Sequence, residues 1–161
     1  MSSFDANKRQ WLQRQQPIRL PWSLDEQSFT DGCTRCDACV EACPEHIVIK
    51  GRGGFPALDF QQNECTFCGL CVDVCPQPIF RRRSEPAFFH HAEIDARCFP
   101  QHGIACRSCG DVCEVRAIRF QFGASRMALP QIDTDACNGC GACLSVCPAD
   151  AIALATEELK A

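Results

Sequence analysis

The sequence predicts an α+β fold of two tandem modules, built from short strands and short helices with little regular secondary structure. Three observations support this fold class. Sixteen cysteines in 161 residues fall into four groups of four. The last cysteines of the groups follow one another at intervals of 32, 38 and 34 residues, which indicates an internal repeat. The apolar stretches between the groups are short, so hydrophobic burial alone would leave a chain of this size marginally stable.

Three of the cysteine groups follow the pattern C-x2-C-x2-C-x3-C-P, which is the bacterial iron–sulfur run. These groups are Cys33, Cys36, Cys39 and Cys43; Cys65, Cys68, Cys71 and Cys75; and Cys137, Cys140, Cys143 and Cys147. A single C-x2-C pair would fit zinc or redox chemistry. Three copies that each end in proline favour [4Fe-4S] clusters over zinc or disulfides, so the sequence predicts bacterial ferredoxin-like modules. Because bound metal contributes folding energy, we expect the metal-free chain to be poorly folded.

The third group in chain order is irregular. It consists of Cys98, Cys106, Cys109 and Cys113, with seven residues between the first two cysteines and Glu114 in place of the proline. One interpretation is a normal cluster with a looped-out insertion, whose exposure would shift the reduction potential. The other is a labile or three-iron site, or no cluster. His102 lies in the insertion and is interpreted as a solvated loop residue rather than a ligand. We therefore expect four clusters, and at least three.

The stretches around the groups predict the regular elements. The third and fourth cysteines of each group are spaced i, i+4, as in one helical turn, and in the first group Pro44 ends that turn. Apolar pieces after the groups, at 47–49, 79–80, 117–120 and 151–154, predict short strands. Turns that contain glycines such as Gly51 and Gly123 would lead to second strand-like pieces at 56–60, 92–95 and 129–133.

The spacing also predicts how the groups cooperate. In two-cluster ferredoxins the fourth cysteine of each run ligates the other cluster. If neighbouring groups pair, the predicted sets are Cys33, Cys36, Cys39 and Cys75; Cys65, Cys68, Cys71 and Cys43; Cys137, Cys140, Cys143 and Cys113; and Cys98, Cys106, Cys109 and Cys147. A nested pairing, with group one against group four and group two against group three, is the alternative.

These patterns divide the chain into five parts. Residues 1–30 form a polar, glutamine-rich leader, short and amphipathic or disordered. Residues 31–80 form the first module, 81–97 a linker, 98–155 the second module and 156–161 a tail. The linker contains Arg81-Arg82-Arg83, interpreted as solvated rather than as a docking site, and His90 and His91, expected at the surface. Four phenylalanines, expected in the core or alternatively against the clusters, are Phe55, Phe67, Phe80 and Phe120.

Charge, hydropathy and motif content indicate which classes of function are disfavoured. The formal charge is −4, and four clusters with 2+ cores against four thiolates each would bring it to roughly −12, which disfavours nucleic acid as a partner. No signal peptide and no apolar run of membrane-spanning length is evident, so we expect no membrane insertion and a cytoplasmic, reducing location. No catalytic set or nucleotide fingerprint is present, which favours a carrier or binding protein over an enzyme.

The order of three regular groups and one stretched third group resembles the NapF family of ferredoxin-type proteins, which belongs to the periplasmic nitrate reductase system. The similarity covers nearly the whole chain and includes the segments Pro21-Trp22-Ser23, Cys33-Thr34-Arg35-Cys36-Asp37-Ala38-Cys39, Cys106-Arg107-Ser108-Cys109 and Cys137-Asn138-Gly139-Cys140-Gly141-Ala142-Cys143. It implies a cytoplasmic accessory factor that contacts the catalytic subunit of periplasmic nitrate reductase before export. A general electron-transfer ferredoxin or oxidoreductase subunit, and a structural metal protein without redox role, are the alternatives.

Overall fold

The computed structural model describes residues 17–122 and 127–156. The first part of the predicted leader, the Gly123 turn and most of the tail lie outside these residues. The helices are α1 Glu26–Gly32, α2 Ala38–Ala42, α3 Leu70–Asp73, α4 Ser108–Asp111 and α5 Ala142–Ser145. The strands are β1 Val48–Lys50, β2 Pro56–Leu58, β3 His90–Ile94, β4 Ile118–Phe122, β5 Ala128–Ile132 and β6 Ile152–Thr156. Short 3-10 turns span Arg52–Gly54 and Phe99–His102. These short elements confirm the predicted α+β class.

Local sequence accounts for where the helices begin. The side chain of Asp25 accepts a hydrogen bond from the backbone N–H of Ser28 at 3.0 Å and so caps α1. The helices α2, α3 and α5 instead each follow a residue in the left-handed region: Asp37, Gly69 and Gly141, at φ 65°, 76° and 85°. Such a residue reverses the chain just before the helical turn, and glycine adopts this conformation without steric cost.

Three antiparallel pairs of strands organise the two modules. Strand β1 pairs with β2, with Val48 opposite Leu58, and β4 pairs with β5, with Ile118 opposite Ile132. Strand β3 pairs with β6, with Ile94 opposite Ile152. The last pair joins the segment before the third cysteine group to the segment after the fourth. The second module is thereby closed on itself.

The first module closes in the same way, through a segment that the sequence places in the leader. Ser23 and Phe80 form an isolated antiparallel bridge, which is the counterpart of the β3–β6 pair. Leu20 and Phe29 are 1% and 0% exposed and belong to the core of the first module. Residues 17–30 thus pack as part of this module, and we propose to count them with it.

The predicted linker also contains ordered structure. Arg81 donates from Nε to the carbonyl of Ser23 at 3.1 Å and stacks over Phe89 at 4.3 Å. Arg83 contacts the carboxylate of Asp73. His90 begins β3 and is only 8% exposed, so the expectation that it lies at the surface is wrong. The linker therefore contacts the segment 17–24 and contributes one strand to the second module.

The two cores are small and contain cysteines as well as aliphatic residues. The first includes Leu20, Phe29, Ile47, Leu58, Phe60 and Ile79. The second includes Ala92, Ile118 and Ile152, with Cys109 and Cys143. In the described part of the chain no helix is both long and apolar enough to cross a membrane.

Phe29 offers a direct test of the role of the segment before the first cysteine group. The substitution Phe29→Ala removes a fully buried ring that packs edge-on against Phe80. We expect it to lower the free energy of unfolding by about 3–5 kcal/mol. Urea titration of the anaerobic holoprotein, followed by visible absorbance, measures the loss.

Phe122→Ala is the matched control, because this ring is 82% exposed. We expect its effect to stay within about 0.5 kcal/mol. Equal stability of the two variants would contradict the assignment of residues 17–30 to the folded module.

Candidate metal centres

The sixteen cysteines gather around four cavities, with four cysteines lining each. The first site contains Cys33, Cys36, Cys39 and Cys75. The second site contains Cys43, Cys65, Cys68 and Cys71. The third site contains Cys98, Cys106, Cys109 and Cys147. The fourth site contains Cys113, Cys137, Cys140 and Cys143. Every cavity thus takes three cysteines from one group and the last cysteine of the neighbouring group, which is the sequential pairing and not the nested one.

The helical turns bring about this exchange. Cys39 lies within α2 and lines the first site, whereas Cys43 follows the helix in an extended conformation and lines the second. Helix α3 separates Cys71 from Cys75 in the same way, and packs against α2. Helices α4 and α5 repeat the arrangement in the second module. Each pair of helical turns therefore lies between two sites and contributes a cysteine to both.

Burial and mutual repulsion dominate the electrostatics of the cysteines. Burial, followed by the charges of Cys65 and Cys68, raises the pKa of Cys71 to about 12. Burial, followed by the charges of Cys140 and Cys137, raises the pKa of Cys143 to about 12. Four thiolates gathered in a half-buried cavity need positive charge among them. A [4Fe-4S] core with its four iron atoms supplies that charge and accepts four thiolate ligands, so the donor sets fit this group.

The third site contains the irregular cysteine group and is built like the others. Its cavity is similar in size to the other three. Cys98 is buried and lines the cavity with the other three cysteines. The insertion before Cys106 therefore does not displace Cys98 from the site.

The first half of the insertion covers this site instead of looping away from it. Phe99 and Pro100 lie in the 3-10 turn and line the cavity, and Pro100 is buried. The expectation of a looped-out insertion holds only for the exposed residues after the turn, 103–105. His102 is exposed, donates a hydrogen bond from Nε2 to the carbonyl oxygen of Ala96 at 2.8 Å, and does not line the cavity.

Several residues that cover the sites were not predicted from the sequence. Pro21 lines the second site and Phe29 lines the first, although both belong to the predicted leader. Of the four phenylalanines considered as cluster neighbours, Phe80 lines the first site. The signal for Pro21 and Phe29 is weak, because isolated apolar residues in a polar stretch do not reveal a distant partner.

Comparison with known proteins agrees with this architecture. Two family models, each described as a 4Fe-4S dicluster domain, match residues 32–80 and 104–151. The ferredoxin-type protein NapF of Haemophilus influenzae is 47% identical over 85% of this chain and 78% of its own length. The ferredoxin-type protein NapF of Escherichia coli K12 is 41% identical over 92% of this chain and 94% of its own length. The chain belongs to the NapF family.

The NapF relatives confirm the resemblance seen in the sequence. The two dicluster family models confirm the expectation of [4Fe-4S] clusters. A component of an ion-translocating oxidoreductase complex from Methanosarcina acetivorans is also similar, at 38% identity over 78% of this chain and 47% of that protein. The second matched region begins at residue 104 and so leaves out Cys98. The assignment of Cys98 to the third site is therefore supported by the geometry of that site and not by the family model.

The exchange of fourth cysteines can be tested by combining substitutions. If Cys43 serves the second site, Cys43→Ala and Cys65→Ala remove the same cluster. The double variant C43A/C65A should then keep about twelve of about sixteen iron atoms per chain, as each single variant does. The double variant C43A/C33A should keep only about eight. Iron and sulfide analysis of anaerobically purified protein measures both, and the reverse order of the two double variants would show that each group serves its own cluster.

Cys98 has a separate test. Because it lies in the third site, Cys98→Ala should lower the iron content from about sixteen to about twelve atoms per chain. His102→Ala is the control from the same segment and should leave the content unchanged, since His102 is exposed and turned to Ala96. Identical iron contents in C98A and the unsubstituted chain would show that Cys98 is not a ligand.

Proposed function

We propose that this chain is an iron–sulfur accessory protein that assists maturation of the catalytic subunit of periplasmic nitrate reductase in the cytoplasm, before that subunit is exported. Four [4Fe-4S] clusters, held by the sixteen cysteines of the four sites, serve as redox or assembly elements. The observation that carries this proposal is the set of four four-cysteine cavities in a chain of the NapF family. The link to nitrate reductase comes from the resemblance to that family.

The cysteines suit a cofactor-holding role in a reducing compartment. All sixteen are free thiols in the structure, and they are distributed over four separate sites. Reduced thiols are maintained in the cytoplasm, where they remain available to bind iron. When bound, [4Fe-4S] clusters supply one-electron redox chemistry. The surrounding apolar residues, such as Pro21 and Phe29 in the first module and Phe99 in the second, limit access of water to the sites.

The first module presents its sites to solvent at one cysteine each. Cys36 of the first site and Cys68 of the second are exposed, whereas Cys71 is buried. An exposed cysteine brings the edge of a site to the molecular surface, where a partner protein can approach it. This arrangement favours an accessory protein that works on another protein over an enzyme with an enclosed substrate pocket.

A general electron-transfer role is the second candidate. The similarity to a component of an ion-translocating oxidoreductase complex supports it, because that protein is named as part of a redox assembly. The two candidates differ in their partner. A maturation factor binds the nitrate reductase catalytic subunit itself, whereas a general carrier exchanges electrons with other redox proteins.

The maturation role predicts a selective complex. Tagged holoprotein, purified without oxygen, should capture the precursor of the catalytic subunit, and should capture the folded mature form less well. The matched control is C43A/C33A, in which two sites of the first module are lost while the second module keeps its ligands. Weaker capture by this variant would tie binding to the loaded first module. Failure of the holoprotein to capture either form would contradict the maturation role and favour the general carrier.

A further inference from the structure

The two modules meet at a direct contact between cysteines of different sites. The backbone N–H of Cys65, in the second site, donates a hydrogen bond to the carbonyl oxygen of Cys140, in the fourth site, at 2.8 Å. Both residues line their respective cavities. A single hydrogen bond therefore connects the ligand loop of one module to the ligand loop of the other.

Close packing surrounds this hydrogen bond. A Cβ added to Gly141 would overlap the ring of Phe60, so the loop of the second module lies directly on a core side chain of the first. His90 lies at the carbonyl of Gly139, with Nε2 at 2.9 Å from the oxygen. Its ring also contacts Phe60 edge-on, with the centroids 6.5 Å apart. These contacts hold the loop on both sides of Cys140.

The imidazole of His90 is suited to a fixed structural contact. Burial lowers its pKa, which the hydrogen bond to Gly139 only partly opposes, so the ring is neutral at pH 7. A neutral ring has one N–H, and at Nε2 it donates to the carbonyl of Gly139. The buried histidine thus anchors the ligand loop without adding charge at the junction.

Within each module, the packing of the helices shows which two sites lie side by side. Helix α2 packs on α3, which brings the first site beside the second, and α4 packs on α5, which brings the third site beside the fourth. Together with the Cys65–Cys140 contact, these pairs give a spatial order of first, second, fourth and third site. The second and fourth sites are the inner pair, and the irregular third site lies at one end.

We propose that one-electron exchange between the two modules takes place across the Cys65–Cys140 contact, between the second and fourth sites. In each exchange one site passes from the 1+ to the 2+ core state while the other passes from 2+ to 1+, and no bond or proton is transferred. A one-electron donor of low potential, such as dithionite, supplies the electron that is shared. Electrons can then pass among all four sites, and the two ferredoxin modules do not act independently.

Magnetic interaction between reduced sites tests the order of the sites. The variant C33A/C98A removes both outer sites and should keep about eight iron atoms. After full reduction, its EPR spectrum should show broadening from two interacting spins. The variant C43A/C113A removes both inner sites, keeps the same amount of iron, and should show simple signals from isolated spins. Broadening only in C43A/C113A, or in neither variant, overturns the proposal.

A second comparison keeps all sixteen cysteines and applies if the double variants fail to fold. Gly141→Ala inserts a methyl group between the modules, at φ +85°. Gly103→Ala is the matched control, because Gly103 has φ +78° and nothing lies within 4 Å of the added group. We expect weaker broadening per bound iron atom in G141A than in G103A, because the added methyl group would overlap Phe60 where the two modules meet. Identical spectra of the two variants at full iron content overturn the proposal.

Discussion

The structure depends on one arrangement: the last cysteine of each group lines a different cavity from the three cysteines before it. Three residues separate the third and fourth cysteines, and the third cysteine lies within a short helical turn. In the first group the chain leaves that turn at Cys43 in an extended conformation. Each site is therefore incomplete until a neighbouring group supplies its fourth cysteine. This requirement joins the groups in pairs, and we expect it to make metal binding part of folding.

The segments outside the cysteine groups close each module and cover its sites. In the first module, the residues around Ser23 reach the chain after the second group at Phe80, and α1 covers the first site with Phe29. In the second module, β3 and β6 form the corresponding closure, and Phe99 and Pro100 cover the third site. Both modules thus place apolar residues from outside the regular cysteine runs over a site. Leu20 and Phe29 from such a segment belong to the core of the first module.

Sequence reasoning succeeds where covalent spacing dictates structure. The four cysteine groups, the helical turns and the strands at 48–50, 56–58, 118–122, 128–132 and 152–156 follow from local patterns. The sequence leaves the sequential and the nested pairing of the groups open, and the cysteines that line the four cavities distinguish between them. It fails where a residue is buried by a partner far along the chain. Phe29 is surrounded in sequence by polar residues but packs on Phe80, and His90 is buried by Gly139 and Phe60. The position of Phe99 and Pro100 over the third site was not predicted for the same reason. The cavity that they line also includes Cys147 and Ile152, which lie far along the chain.

We expect all four sites, including the one built from the irregular third group, to hold [4Fe-4S] clusters. Quantification of iron and acid-labile sulfide in the anaerobically purified, unsubstituted chain tests this most directly. Four complete clusters would give about sixteen atoms of each per chain. A value of about twelve would show that the third site, despite its four cysteines and its cover of Phe99 and Pro100, does not hold a cluster.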